Sequence, residues 1–78
     1  MEKEEFDFSF SDKNGKPLTE REFEVLKLIV KGKTNTEIAE KLSISVHTAK
    51  AHVCSILQKM CVNDRVQAAV KAVREDLV

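Results

Sequence analysis

Proline occurs once in these 78 residues and glycine twice. Strand-and-turn architectures use both residues freely in their turns. Their scarcity, beside plentiful Ala, Leu, Val, Glu and Lys, points to helices. Cysteine is equally sparse: Cys54 and Cys61 form neither a CxxC pair nor a disulfide framework, and they read as two free thiols in a reducing cytosol. No apolar run approaches the roughly 20 residues of a membrane span. The acidic start, Met1 to Asp12, lacks the cationic and apolar segments of a secretory signal, so a cytoplasmic location is expected. Internal repeats and low-complexity tracts are missing. No nucleophile stands in a motif with a base, and no glycine-rich phosphate loop occurs, so neither catalysis nor a cofactor is expected.

Net charge is also lacking, with 13 bases against 13 acids. The distribution is uneven. Residues 1–12 hold five acids (Glu2, Glu4, Glu5, Asp7, Asp12) and one base, Lys3, whereas the rest of the chain holds twelve bases and eight acids. From Ser43 to Val62 there are Lys50, Lys59, His47 and His52 and no acid at all. Local charge, not the whole-chain sum, decides whether a surface can approach phosphates.

The length suits one domain. Residues 1–16 read as a flexible acidic linker or arm in which Phe6, Phe8 and Phe10 alternate, with Asn14-Gly15-Lys16-Pro17 as a boundary turn. Residues 17–78 carry the signals of four helices, at about Glu20–Lys31, Asn35–Leu42, Val46–Met60 and Arg65–Glu75. Thr19-Glu20-Arg21-Glu22 and Thr34-Asn35-Thr36-Glu37 are capping boxes, each pairing a threonine with a glutamate three residues on. Val25, Leu26, Ile29 and Val30 form the first apolar stripe, and Gly32 closes that helix. Ile38, Ala39 and Leu42 face inward from the second helix. After the tight turn Ser43-Ile44, Ser45 caps a third helix whose inward face is Ala49, Val53, Ile56, Leu57 and Met60. Asp64 caps the fourth, with Gln67 completing a box and Val66, Ala69, Val70 and Val73 as the expected inward stripe.

The short second helix, the tight turn and the longer third helix have the spacing of a helix-turn-helix, with small Ala39 where the two helices cross. The second helix of such a pair fits the major groove, and its N-terminus offers free N–H groups to a phosphate. Ser45, Val46, His47 and Thr48 stand at that end. Lys50, Ala51, His52, Cys54 and Ser55 fall on the outward side. His52 has two open roles, contact with DNA or a hydrogen bond across to the first helix. His47, His52, Cys54 and Cys61 point at different angles around the third helix, which does not make a tetrahedral metal site.

These residues resemble a known family. Leu18-Thr19-Glu20-Arg21-Glu22, Val25-Leu26, Gly32, Asn35, Glu37-Ile38-Ala39, Leu42, Ile44-Ser45, Thr48, Lys50, His52, Ile56, Lys59, Val62, Arg65 and Ala68 look like the LuxR/FixJ-type (GerE-like) helix-turn-helix, the effector domain of many bacterial response regulators. The likeness runs from Leu18 to about Val73 without a gap. It implies an all-α, four-helix domain for sequence-specific DNA binding and transcription regulation, located at the bacterial nucleoid. It also implies that Lys50, Ala51, His52 and Cys54 face the groove, while Thr34, Asn35, Val46, Thr48 and Lys59 lie near the DNA backbone. His47 adds a weak phosphate contact. This chain departs from the family's usual pattern at three places. Ala49 replaces a valine, Cys54 stands where some members have a cation, and Cys61 occupies a helix end where a positive φ would be mildly strained.

In the family the fourth helix pairs with its copy, so that a dimer reads an inverted repeat. The apolar breadth of the fourth helix agrees with such pairing, because Ala68, Ala72 and Leu77-Val78 add surface beyond one inward stripe. Val66, Ala69, Val70, Ala72 and Val73 are therefore the expected interface of a weak homodimer. Double-stranded DNA is the expected partner, and RNA polymerase a further one. The competing reading is a protein-interaction module of the same fold with little DNA affinity, which the neutral net charge, the acidic arm and Cys54 keep open. The sequence leaves open whether the domain stands alone or belongs to a longer regulator.

Overall fold

The computed structural model describes residues 18–78. Within them run α1 (Glu20–Val30), α2 (Asn35–Leu42), α3 (Val46–Met60) and α4 (Arg65–Arg74). The expected acidic arm, its alternating phenylalanines and the boundary turn lie outside the described residues. Both threonine capping boxes form. Thr19 Oγ1 accepts from the Glu22 amide at 3.1 Å while Glu22 Oε1 accepts from the Thr19 amide at 3.0 Å, and Thr34 and Glu37 repeat the exchange at 3.1 and 2.8 Å. Ser45 Oγ receives the Thr48 amide at 3.0 Å. Each cap contributes about 1 kcal/mol by satisfying donors that the helix leaves over. The box at α4 differs from expectation by one residue. Asp64 accepts from the Gln67 amide at 2.9 Å, but the Gln67 side chain reaches the amide of Asn63, at 2.8 Å.

All four helices end in the same way, and only the first uses glycine for it. A left-handed residue follows the last turn: Gly32 (φ +82°), Ser43 (φ +59°), Cys61 (φ +59°) and Asp76 (φ +62°). The amide after it then reaches back over the turn, as Lys33 to Leu28 O at 3.0 Å, Ile44 to Ala39 O at 3.0 Å, Val62 to Leu57 O at 3.1 Å and Leu77 to Ala72 O at 2.8 Å. This is the Schellman closure. A side chain in that backbone conformation costs roughly 1 kcal/mol or more. The apolar residue that follows offsets the cost at three of the ends, since Ile44, Val62 and Leu77 all pack on the core.

α1 packs on α3 and α4, α2 packs on α3, and α3 packs on α4. Leu26, Ile38, Ile56 and Met60 are fully buried between them, joined by Leu18 from the segment before α1. The expected inward faces of α1, α2 and α3 hold, with Leu28 added. The inward face of α4 does not. Ala68 and Ala72 are its fully buried residues, whereas Val66, Val70 and Val73 are 68%, 49% and 58% exposed. The two alanines lie one turn apart and let α4 approach α1 closely, which valines at those positions would prevent. Ala72 therefore belongs to the core of a single copy and is unavailable to a dimer partner. Leu77, expected as surface, is buried as well.

Candidate nucleic-acid interface

The helix-turn-helix is α2, the turn Ser43-Ile44-Ser45 and α3. Ser43 in the left-handed region reverses the chain, and Ile44 anchors the turn through its bond to Ala39 O. Ala39 and Ala49 are both buried, so α2 and α3 each present a small residue to the core. α3 then divides into stripes by helical spacing. Ala49, Val53, Ile56 and Met60 are buried. On the outer side Val46, His47, Lys50, Ala51 and Cys54 are all exposed. Between these faces runs a half-buried stripe of Thr48, His52, Ser55 and Lys59.

That intermediate stripe is where the structure redirects two expectations. Ser55, expected on the outward side, donates to Glu22 Oε2 at 2.6 Å. Lys59, expected near DNA, places its ammonium on Glu22 Oε1 at 2.7 Å. Both turn toward α1 because Glu22 is a buried carboxylate and needs donors. Burial by itself raises the Glu22 pKa. The hydrogen bonds from Lys59, Ser55 and the Thr19 amide, with the charge of Lys59, outweigh burial and hold the group below its ordinary value. Lys50 is left as the only ammonium on α3 without a carboxylate partner among the described residues. His52 forms no hydrogen bond to α1 among the described residues.

The two residues at the start of α2 expected near DNA, its N-cap Thr34 and its first residue Asn35, are each occupied in part. Thr34 serves the capping box. Asn35 Oδ1 accepts from Arg65 at 2.7 Å. At the α3 N-terminus, Ser45 Oγ donates to Thr48 Oγ1 at 2.9 Å, which fixes the Thr48 hydroxyl beside the exposed Val46 and His47. Among the described residues no three His, Cys, Asp or Glu side chains gather in a way that could hold a metal ion. No helix among them is long and apolar enough to cross a membrane.

The family described as "GerE: Bacterial regulatory proteins, luxR family" matches residues 16–72. The chain belongs to the luxR family of bacterial regulatory proteins. As a luxR-family helix-turn-helix it is a DNA-binding element of transcription regulation. It is 56% identical over 61 residues to the transcriptional regulatory protein LiaR of Bacillus subtilis, a match that covers 78% of this chain. The response regulator protein VraR of Staphylococcus aureus is 49% identical over the same length, also covering 78% of the chain. The chain spans 29% of the length of each relative. Among solved structures it is similar to the transcription factor GerE, with TM-score 0.69, 34% identity, and 76% of this chain and 88% of that one covered. It is also similar to the response regulator ChrA of a heme-sensing two-component system, with TM-score 0.76, 35% identity, and coverage of 85% and 33%.

Three residues that organise this luxR-family domain make tertiary contacts that the sequence did not announce. Glu22 was legible only as a cap, although positions 22, 25, 26 and 29 share one helical face. An acid on that face is the signal that it is buried and paired. Arg65 and Lys71 tie α4 to the helix-turn-helix. Arg65 donates to Asn35 Oδ1 and, at 2.7 Å, to Lys33 O, and Lys71 donates to Met60 O at 2.7 Å. The Lys71 bond places a cation on the carbonyl end of α3, where the helix dipole favours it. Neither contact has a local sequence signature, since each spans 11 or more residues.

Proposed function

We propose that this domain binds duplex DNA sequence-specifically with α3 in the major groove, as a dimer on an inverted repeat. The observation that carries the reading is the outer face of α3: Val46, His47, Lys50, Ala51 and Cys54 exposed together, on a helix with no acid. Lys50 has the reach for a guanine edge, Ala51 and Cys54 suit thymine methyls, and the free amides of the α3 N-terminus suit a phosphate. Thr34, Asn35 and Thr48 flank that face and contact the DNA backbone. The dimer rests on Val66, Val70 and Val73 of α4, which stand exposed with Ala69 beside them. A patch so small makes a weak pair in solution, held firmly only when both copies engage DNA. The likeness to LiaR and VraR extends the reading to the output domain of a longer response regulator.

Selection of bound sites from random duplex DNA tests this. The expected product is a motif with two-fold symmetry, bound with an affinity that falls steeply as salt rises because phosphate contacts release counterions. A protein-interaction module would enrich no sequence, and its apolar contacts would respond little to salt.

A further inference from the structure

Arg65 stands at the first position of α4, and both terminal nitrogens of its guanidinium donate inside the domain. One nitrogen donates to Asn35 Oδ1 and the other to Lys33 O, both at 2.7 Å. The two acceptors bracket the start of α2, one in the turn before it and one in its first residue. A guanidinium offers its donors in a fixed planar fork, so both bonds together set the orientation of the side chain they meet. An asparagine amide has two distinguishable ends. With Oδ1 held by Arg65, the Nδ2 donor pair points the other way and has no partner among the described residues.

We propose that Arg65 is a positioning residue for DNA binding. It fixes the Asn35 amide with its donor end free for a phosphate oxygen, and so ties the register of the α4 pair to the α2 contact with the DNA backbone. This rests on the reading that Asn35 lies at the DNA surface. The clamp is a direct mechanical link between the helix that carries the exposed valines and the helix that opens the helix-turn-helix. In its absence the Asn35 amide flips freely, and half of its orientations present a carbonyl oxygen to a phosphate, which repels it.

The test is a double-substitution cycle in duplex affinity on a selected site, over a range of salt, at a temperature where every variant is folded by circular dichroism. Arg65→Ala and Asn35→Ala should each weaken binding roughly three- to tenfold, the size of one lost hydrogen bond. The pair together should bind no worse than Asn35→Ala alone. The slope of affinity against salt should be unchanged in Arg65→Ala, because this guanidinium meets no phosphate. In the spectrum of the free domain, the Asn35 side-chain amide should lose its distinct signals in Arg65→Ala while the α3 backbone amides stay in place. Where Arg65→Ala does not fold, Arg65→Met carries the same cycle, since a methionine keeps an apolar stem of similar length and offers no donor to Asn35 Oδ1. Losses that add in the double variant would overturn the proposal, as would a salt slope reduced by about 1 in Arg65→Ala, which marks a phosphate contact made by Arg65 itself. A parent domain with no salt-dependent duplex affinity would overturn the underlying reading of Asn35 instead.

Discussion

Replacing Glu22 with alanine removes one carboxylate and leaves three donors without their acceptor. The Thr19 amide at 3.0 Å, the Ser55 hydroxyl at 2.6 Å and the Lys59 ammonium at 2.7 Å all converge on it. They are stranded unequally. The Lys59 side chain is 25% exposed, so its ammonium can turn to water, and the loss there is well below that of a fully buried pair. Ser55 and Thr19 are partly buried and recover less. At about 1 kcal/mol for each of the three bonds, Glu22→Ala costs on the order of 3 kcal/mol. A domain of this size has only several kcal/mol in total. The melting temperature should therefore fall on the order of 15 °C.

Glu22→Gln keeps the shape. Its Oε1 can still accept from Thr19 and Lys59, and its amide can donate to Ser55, whose hydroxyl then accepts. That change should cost about 1 kcal/mol, mostly the charge. Acid separates the two states further. The folded pKa of Glu22 is depressed, so its stabilisation is complete above the ordinary glutamate value and is lost as pH falls through the lower folded value. Melts of parent and Glu22→Gln from neutral pH down into that range should converge as Glu22 becomes protonated. If Glu22→Ala melted within a few degrees of the parent, or if the parent and Glu22→Gln curves stayed parallel in acid, the anchoring role would be wrong.

Four other substitutions test separate parts of the account. Lys50→Ala should weaken duplex binding by about 1–3 kcal/mol and relax preference at one base position if the ammonium reads a base edge; equal affinity for every duplex tested would remove Lys50 from the interface. Cys61→Gly should raise stability by about 0.5–1 kcal/mol, because glycine takes a positive φ without the side-chain penalty; a lowered melting temperature would mean the Cys61 side chain supplies packing that its exposure does not suggest. Val70→Glu should leave the fold intact and half-site affinity unchanged while reducing cooperative binding to a full site, whereas Ala72→Glu should unfold the domain, since Ala72 is fully buried; sedimentation showing one copy on every full site would refute pairing through α4.

How far the fold could be read from the sequence varied with the kind of signal. Helix starts were legible because caps are local: Thr19, Thr34, Ser45 and Asp64 each answer an amide three residues on. Helix ends were legible in position at Leu42 and Met60, but residue type signalled the left-handed closure only at Gly32. Ser43, Cys61 and Asp76 adopt the same left-handed turn, but no residue preference announces it, since what stabilises the turn is the packing of the residue that follows. The inward face of α4 was misread because size was taken as the guide to burial. The approach of α4 to α1 selects for small side chains, so Ala68 and Ala72 went in and the valines stayed out. At the interface, helical spacing found the outer face of α3 but set Ser55 on it, and the family resemblance set Lys59 near the DNA backbone. Their true partner, Glu22, lies more than 30 residues away in the chain, and no periodicity within one helix can reveal it.

The central claim, that the outer face of α3 meets the duplex, is tested most directly by following the backbone amides of the domain as a selected duplex is added. Changes should concentrate at Val46 to Cys54, with a second set at Thr34 and Asn35, and should leave the middle of α1 undisturbed. Changes gathered instead on the exposed valines of α4, with α3 silent, would contradict the account.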